Sequence, residues 1–126
     1  RRREVVAAYT AAFANHDALQ VPVERAGVES AWHLYILRIR SEALRINRDE
    51  VIEQLKGRNI GTSVHFIPIH LHKYYRDKYG YRPGDFPVAH SNYRRMISLP
   101  LHPGLSDADV GDVIEAVLGV ASANAR

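Results

Sequence analysis

One stretch decides the fold, and it reads Trp32-His33-Leu34-Tyr35-Ile36-Leu37. Successive side chains of a β-strand point to opposite faces. Trp32, Leu34 and Ile36 would then face one way, and His33, Tyr35 and Leu37 the other. Bulky groups on both faces are typical of a central strand that is covered on both sides. We therefore predict a central strand within residues 28–39.

Three stretches around this strand have the spacing of amphipathic helices. Residues 1–15 carry one apolar stripe, formed by Val5, Val6, Tyr9, Ala12 and Phe13. A second helix is expected after Asn47, with Glu50 in the capping-box position, and should end at Gly61. A third is expected after Ser106, with Asp109 three residues later, and its stripe contains Val110, Val113, Ile114, Val117 and Leu118.

Two further extended stretches complete the predicted sheet. Residues 62–69 follow Gly61, and residues 97–101 precede a turn at Pro103-Gly104. Pro68 has no N–H to donate, so it should lie at an edge or at a strand end. Short helices are expected at 71–79 and 88–95. The sequence thus predicts an α+β fold, with a small antiparallel or mixed sheet of about three strands and helices mainly on one face.

Length and composition exclude several classes of protein. The 126 residues fit one domain, and no apolar run approaches the roughly 18 residues that span a bilayer. The chain has no cysteine, which excludes disulfides and makes the cytoplasm the expected location. Its 17 basic residues are interspersed with 14 acidic ones, without the basic stripe of a nucleic-acid-binding protein. We expect neither a nucleic-acid nor a membrane partner.

The densest group of chemically active side chains lies at residues 65–76. Three histidines and several aromatic rings occur there: His65, Phe66, His70, His72, Tyr74 and Tyr75. Histidine can serve as acid, base, hydrogen-bond donor or metal ligand, and aromatic rings stack on sugars or bases. Each residue taken alone is equally compatible with a structural role. His70 and His72 lack a well-placed third ligand, so we expect no metal site.

Three segments occur in a distinctive order. They are residues 30–38, residues 61–89 with the motif Gly61-Thr62-Ser63-Val64-His65-Phe66-Ile67-Pro68-Ile69-His70, and residues 97–106. Together they resemble the C-terminal end of the DegT/DnrJ/EryC1/StrS family of sugar aminotransferases. The resemblance implies the small domain of the fold-type I architecture and a homodimer. In that family, pyridoxal phosphate (PLP) transfers an amino group, usually from glutamate, to a nucleotide-linked keto sugar, as in cell-surface polysaccharide biosynthesis.

The resemblance also implies which residues face the substrate. The family's cleft segment corresponds to the stretch with the histidines, so we expect the nucleotide sugar to be bound by His65, Phe66, His70, Tyr74 and Tyr75. We further expect the rings around Tyr74, Tyr75 and Tyr79 to be exposed, because a large domain would dock there.

The cofactor lysine of the family has no counterpart in this chain. The three lysines, Lys56, Lys73 and Lys78, lie outside the matching motif, so we expect no catalytic residue and no bound PLP here. The chain starts at Arg1 and its only methionine is Met96. We therefore expect residues 1–126 to be the C-terminal small domain of a longer enzyme, inactive without its large domain. The alternative is a stand-alone α+β binding or regulatory module.

Overall fold

The computed structural model describes all residues from Arg1 to Arg126. In chain order, its helices and strands are α1 (Arg2–Phe13), β1 (Leu19–Gln20), β2 (Tyr35–Ile39), α2 (Arg48–Gly57), α3 (Lys73–Tyr79), α4 (Pro87–Arg95), β3 (Met96–Leu99) and α5 (Asp107–Ala123). Two short 3-10 turns, Ile69–Leu71 and Pro83–Asp85, lie on either side of α3. None of the helices combines the length and the apolar character that crossing a membrane requires.

The strands form one antiparallel sheet in the order β1-β2-β3. This arrangement confirms the predicted α+β fold and the central strand, although that strand begins only at Tyr35. Trp32 adopts a φ of 46°, a left-handed conformation that an extended strand cannot contain. The chain therefore turns at Trp32 and becomes extended only after it.

One of the predicted strands is wrong. Residues 62–69 pair with the sheet only at the isolated bridge between Ser63 and Ser98. Pro68 has no N–H for a ladder, and the chain passes into the 3-10 turn at Ile69–Leu71 instead. The remaining strand of the sheet is β1. The sequence did not predict it, because two residues are too few to show an alternation of apolar and polar side chains.

Most helices pack on one face of the sheet, which we call the core face. Tyr35, Leu37 and Ile39 of β2 point into it and are almost completely buried. The predicted apolar stripes of α1, α2 and α5 join them in one cluster that includes Val5, Tyr9, Phe13, Val51, Leu55, Val110, Val113 and Val117. Burying one such side chain contributes roughly 1.5–3 kcal/mol, so this face supplies most of the stability of the fold.

The opposite face of the sheet, which we call the outer face, is only partly covered. Ile36 and Arg38 of β2 point toward it and are half-buried. Arg38 Nη1 donates a hydrogen bond to Asn92 Oδ1 of α4 at 3.1 Å, but neither α3 nor α4 buries a residue of its own. The prediction of helices mainly on one face is thus confirmed, whereas full coverage of β2 on both sides is not.

The predicted helix caps are present. The Asn47 side chain accepts hydrogen bonds from the N–H groups of Asp49 and Glu50, and the Glu50 carboxylate accepts one from the Asn47 N–H. Ser106 and Asp109 form the same reciprocal pair at the start of α5. The hydrogen bonds from Ser106 hold the pKa of the Asp109 carboxyl below its ordinary value.

The end of α2 comes earlier than predicted. The helix stops at Gly57 rather than at Gly61. Asn59, which follows the capping residue Arg58, adopts a φ of 62°. A left-handed residue just beyond the cap commonly ends helices, and asparagine tolerates that conformation better than most residues. Gly61 is therefore part of the loop that leads to the Ser63 bridge.

Candidate substrate-binding site

The predicted site residues all lie within residues 61–86, which we call the outer segment. The segment is joined to β3 at Ser63, whose N–H donates to the Ser98 carbonyl at 3.2 Å, while the Ser98 N–H donates to the Ser63 carbonyl at 2.8 Å. Beyond this bridge the chain runs through a 3-10 turn into α3, whose residues are all exposed. The sheet therefore fixes one end of the outer segment and leaves its side chains open.

His65 is the predicted site residue that contacts the sheet directly. Its ring is half-buried, and Nδ1 lies 2.9 Å from the Ser98 hydroxyl oxygen. Ser98 is itself buried and points to the outer face, since its neighbours Ile97 and Leu99 belong to the core. The other ring nitrogen, Nε2, makes no hydrogen bond within the chain and is not fully buried. His65 is thus anchored on one side and free to bind on the other.

Phe66 lies beside His65 and is strongly exposed. Its side chain is 72% exposed, and the rings of the two residues meet edge to face with centroids 4.7 Å apart. An exposed phenyl ring next to a free imidazole nitrogen offers a stacking surface and a polar group side by side. This pairing suits a ligand that has both a ring and polar oxygens.

His70 is placed differently from His65. It is 6% exposed, and its ring packs against Phe86 with centroids 4.7 Å apart. Its Nε2 is buried without a hydrogen-bond partner. His70 is the buried residue of the 3-10 turn Ile69–Leu71 that follows Pro68. An unpaired buried polar atom costs about 1–3 kcal/mol, so a native fold that keeps one calls for an explanation.

The remaining predicted residues belong to a continuous series of ring contacts, which we call the aromatic ladder. Successive centroid distances are 4.7, 5.4, 5.6, 6.2 and 5.2 Å. The ladder runs through His70, Phe86, Tyr81, Tyr79, Tyr75 and Tyr74. Several of its rings are largely exposed, so the expected exposed aromatic surface around Tyr74, Tyr75 and Tyr79 is present.

Both lysines of α3 are engaged in local contacts. The Lys73 ammonium pairs with the Asp77 carboxylate. The Lys78 ammonium donates to the Tyr74 hydroxyl at 2.9 Å and lies over the rings of Tyr74 and Tyr79. The surface of α3 therefore combines exposed aromatic rings with two lysines that are held in local contacts.

No group of three histidine, aspartate or glutamate side chains in the chain has the arrangement of a metal site. His72 lies 3.2 Å from the backbone carbonyl oxygen of Ile67, within hydrogen-bonding distance of its Nε2. His70 is buried against Phe86. The two histidines are therefore engaged in separate contacts.

The structure brings the five predicted residues together in two groups. His65 and Phe66 form one pair, while His70, Tyr74 and Tyr75 belong to the aromatic ladder. Sequence reasoning missed Ser98 as a partner of His65, although strand alternation at 97–99 could have placed it on the outer face. It also missed Phe86 and Tyr81 as ladder members, because their contacts are made across a loop that carries no periodic signal.

A cleft of about 370 Å³ lies elsewhere, between α1 and the loop before β2. Val6, Thr10, Pro22 and Trp32 contribute to its wall, and an ion pair between Arg3 and Glu29 joins its two sides. None of the five predicted site residues lines this cleft. The cleft and the outer segment are therefore separate surfaces.

Comparison with known proteins identifies a family for the chain. A model of the DegT/DnrJ/EryC1/StrS aminotransferase family matches residues 1–118. MJ1066, an uncharacterized protein of Methanocaldococcus jannaschii, is 50% identical over 124 residues, which are 98% of this chain and 32% of that protein. The spore coat polysaccharide biosynthesis protein SpsC of Bacillus subtilis is 48% identical over 118 residues, or 93% of this chain and 30% of SpsC.

Solved structures give the same correspondence. Spr1654 from Streptococcus pneumoniae, in its PLP form, superimposes with a TM-score of 0.85 and 30% sequence identity. The match covers 97% of this chain and 31% of Spr1654. The chain therefore spans about a third of the length of the relatives it matches.

Proposed function

Because this chain belongs to the DegT/DnrJ/EryC1/StrS aminotransferase family, we propose that it is the C-terminal small domain of a PLP-dependent sugar aminotransferase. The reaction is the transfer of an amino group, from glutamate, to a nucleotide-linked keto sugar. The family match over residues 1–118 carries this proposal. The name of SpsC supports a role in cell-surface polysaccharide or related amino-sugar biosynthesis. The cysteine-free sequence supports a cytoplasmic location.

The residues of this chain do not fit the cofactor. A Schiff-base lysine needs a shielded pocket, because desolvation keeps its amine reactive. Lys56 is exposed and lies 4.0 Å from Glu53, while Lys73 and Lys78 are exposed on α3 and engaged there. We infer that PLP is held by a large domain outside residues 1–126, so no chemical step at the cofactor is assigned to this chain.

The outer segment is the part of this domain that we assign to the sugar substrate. His65 presents a free Nε2, and Phe66 presents an exposed ring beside it. Together they can bind one polar group and one ring face of a nucleotide sugar. The buried Nε2 of His70 acquires a partner if a polar ligand atom reaches it. Tyr74 and Tyr75 form the wall at the other end of the ladder.

The aromatic ladder supports a docking role as well. Monomeric proteins rarely expose large contiguous apolar patches. The patch formed by the aromatic ladder includes Tyr74, Tyr79 and Phe86, which are 60%, 54% and 43% exposed. The relatives are about three times as long as this chain, so the rest of such a polypeptide is available to cover the patch. We propose that a large domain and a second subunit of a homodimer surround the outer segment.

A borohydride-trapping experiment tests the domain assignment. The purified chain, mixed with an equimolar amount of PLP, is expected to show no Schiff-base absorption and no stoichiometric pyridoxyl-lysine after reduction. The full-length polypeptide is expected to show both, on a lysine outside residues 1–126. Glutamate should then convert its cofactor to the amino form, and a nucleotide-linked keto sugar should reverse the change.

A control variant distinguishes labelling at a specific PLP site from random labelling of exposed lysines. The double variant Lys73→Arg, Lys78→Arg retains only Lys56, so random labelling should fall in proportion to the lysines removed. Stoichiometric trapping on one of the three lysines of the isolated chain would refute the assignment.

A further inference from the structure

The pairing of Ser98 with His65 determines which kind of atom the site can bind. Ser98 is a polar residue buried to 4% exposure in the middle of β3. Its backbone is fixed on both sides, by β2 through the ladder and by Ser63 through two hydrogen bonds. Its side-chain oxygen therefore has a fixed position relative to the His65 ring, 2.9 Å from Nδ1.

The direction of this hydrogen bond follows from counting donors. A serine hydroxyl has one hydrogen to donate, and a neutral imidazole has one N–H and one bare nitrogen. The Ser98 hydroxyl has no partner in the chain other than His65 Nδ1. If Nδ1–H were the donor, the buried Ser98 hydrogen would have no acceptor, which costs about 1–3 kcal/mol. The satisfied arrangement is the one in which Ser98 donates to a bare Nδ1.

A bare Nδ1 determines where the hydrogen of the His65 ring lies. A neutral imidazole whose Nδ1 is bare carries its hydrogen on Nε2. His65 Nε2 is the nitrogen that has no partner in the chain and is not fully buried. The ring thus presents a hydrogen-bond donor to whatever binds against the outer segment.

We propose that Ser98 is a positioning residue that holds His65 as its Nε2–H tautomer, so that this part of the site selects ligands with an acceptor oxygen. The ligand, a nucleotide sugar, rests on the proposed function. The acceptor on such a molecule is a phosphate, carbonyl or hydroxyl oxygen, and a group that can only donate is disfavoured. Ser98 is too buried to touch the ligand, so it acts only through His65.

Nitrogen NMR of the histidine rings in the 126-residue chain tests this proposal without any ligand. At alkaline pH, where imidazoles are neutral, His65 is expected to give a pyrrole-type Nε2 and a hydrogen-bonded pyridine-type Nδ1, as a single tautomer. A pyrrole-type Nδ1 in the wild-type chain would overturn the proposal, because Ser98 would then be the acceptor.

Two variants distinguish an effect of the Ser98 hydroxyl from an effect on the surrounding fold. Ser98→Ala should shift Nδ1 toward the value of an unbonded nitrogen and add the second tautomer, while Ser98→Thr, which keeps the hydroxyl, should preserve the wild-type signals. Ser63→Ala is the matched control, because Ser63 contacts Ser98 only through its backbone, and it should leave His65 unchanged. A mixture of tautomers already present in the wild type and unaltered by Ser98→Ala would also overturn the proposal. These readouts do not depend on the sugar. The tautomer proposal can therefore fail while the proposed function stands, and the proposed function can fail while the tautomer proposal stands.

Discussion

The two faces of the sheet are built by the same strands but differ in their burial and in their polar side chains. On the core face, Tyr35, Leu37 and Ile39 are buried against three helices. On the outer face, Arg38 and Ser98 are polar and hold Asn92 and His65 by hydrogen bonds. Strand alternation thus places two kinds of contact on opposite faces: the core face maintains the fold, and the outer face orients the groups that we propose bind the ligand.

The largest difference between the faces is expected in stability. Leu37→Ala removes a side chain that is 1% exposed in the centre of the sheet, and such truncations cost about 2–5 kcal/mol. Phe66→Ala removes a larger side chain from the outer segment, but its exposure predicts a change within about 0.5 kcal/mol. Urea unfolding of both variants measures the contrast. Similar losses for the two would mean that the outer segment is part of the folding core.

The second effect is expected at alkaline pH, which should lower the stability that the core face provides. Burial, aided by the neighbouring Tyr35 and Asp109, raises the pKa of Tyr9 to about 12. The folded chain therefore holds this proton more tightly than the unfolded chain, whose tyrosine pKa is about 10. The stability contributed by the neutral phenol is complete below pH of about 10 and is lost as the pH rises through the folded pKa.

A tyrosine-to-phenylalanine variant tests the source of this pH dependence. Tyr9→Phe loses the hydrogen bond to the Pro100 carbonyl, worth about 0.5–1.5 kcal/mol. It should also make the decline in stability above pH of about 10 less steep, while burial, which raises the pKa of Tyr35 as well, maintains part of the decline. If the stability of the Tyr9→Phe variant declined as steeply at alkaline pH as that of the wild type, the decline would have to come from other groups.

The helix caps should give the smallest of the stability effects. Asn47→Ala and Ser106→Ala each remove a side chain that accepts from the first turn of its helix. Each is expected to lower the free energy of unfolding by about 1 kcal/mol, within a range of 0.5–2 kcal/mol. The exposed Ser91→Ala, inside α4 and away from its cap, is the control and should change little. Caps that prove neutral would indicate that tertiary packing alone holds the helix starts.

These caps also illustrate what the sequence could predict. Capping boxes at Asn47 and Ser106 and the apolar stripes of α1, α2 and α5 depend on residues within a few positions of one another. Such local signals fix helix starts and buried faces before any tertiary contact is known. The central strand was predictable for the same reason, because its alternation extends over several residues.

The errors lie where tertiary pairing decides the structure. Residues 62–69 look extended in sequence but meet β3 at one position only, and β1 is a strand solely because β2 lies beside it. The placement of His70 depends on the 3-10 turn after Pro68 and on Phe86, which lies sixteen residues further along the chain. No local pattern encodes contacts of that kind, so the geometry around the candidate site residues could not be predicted from the sequence.

The most direct test of this account is a comparison of the two half-reactions in the full-length enzyme that carries this domain. His70→Ala and His65→Ala should each slow the reaction with the nucleotide sugar by about 2- to 12-fold, the equivalent of one lost hydrogen bond of 0.5–1.5 kcal/mol. The glutamate half-reaction, followed separately through the cofactor spectrum, should stay largely intact. Ile97→Val, a mild core-face substitution that costs about 0.5–1.5 kcal/mol of stability, should leave both half-reactions unchanged. Equal losses in both half-reactions, or losses that simply follow stability across the three variants, would contradict the assignment of the outer segment to the sugar.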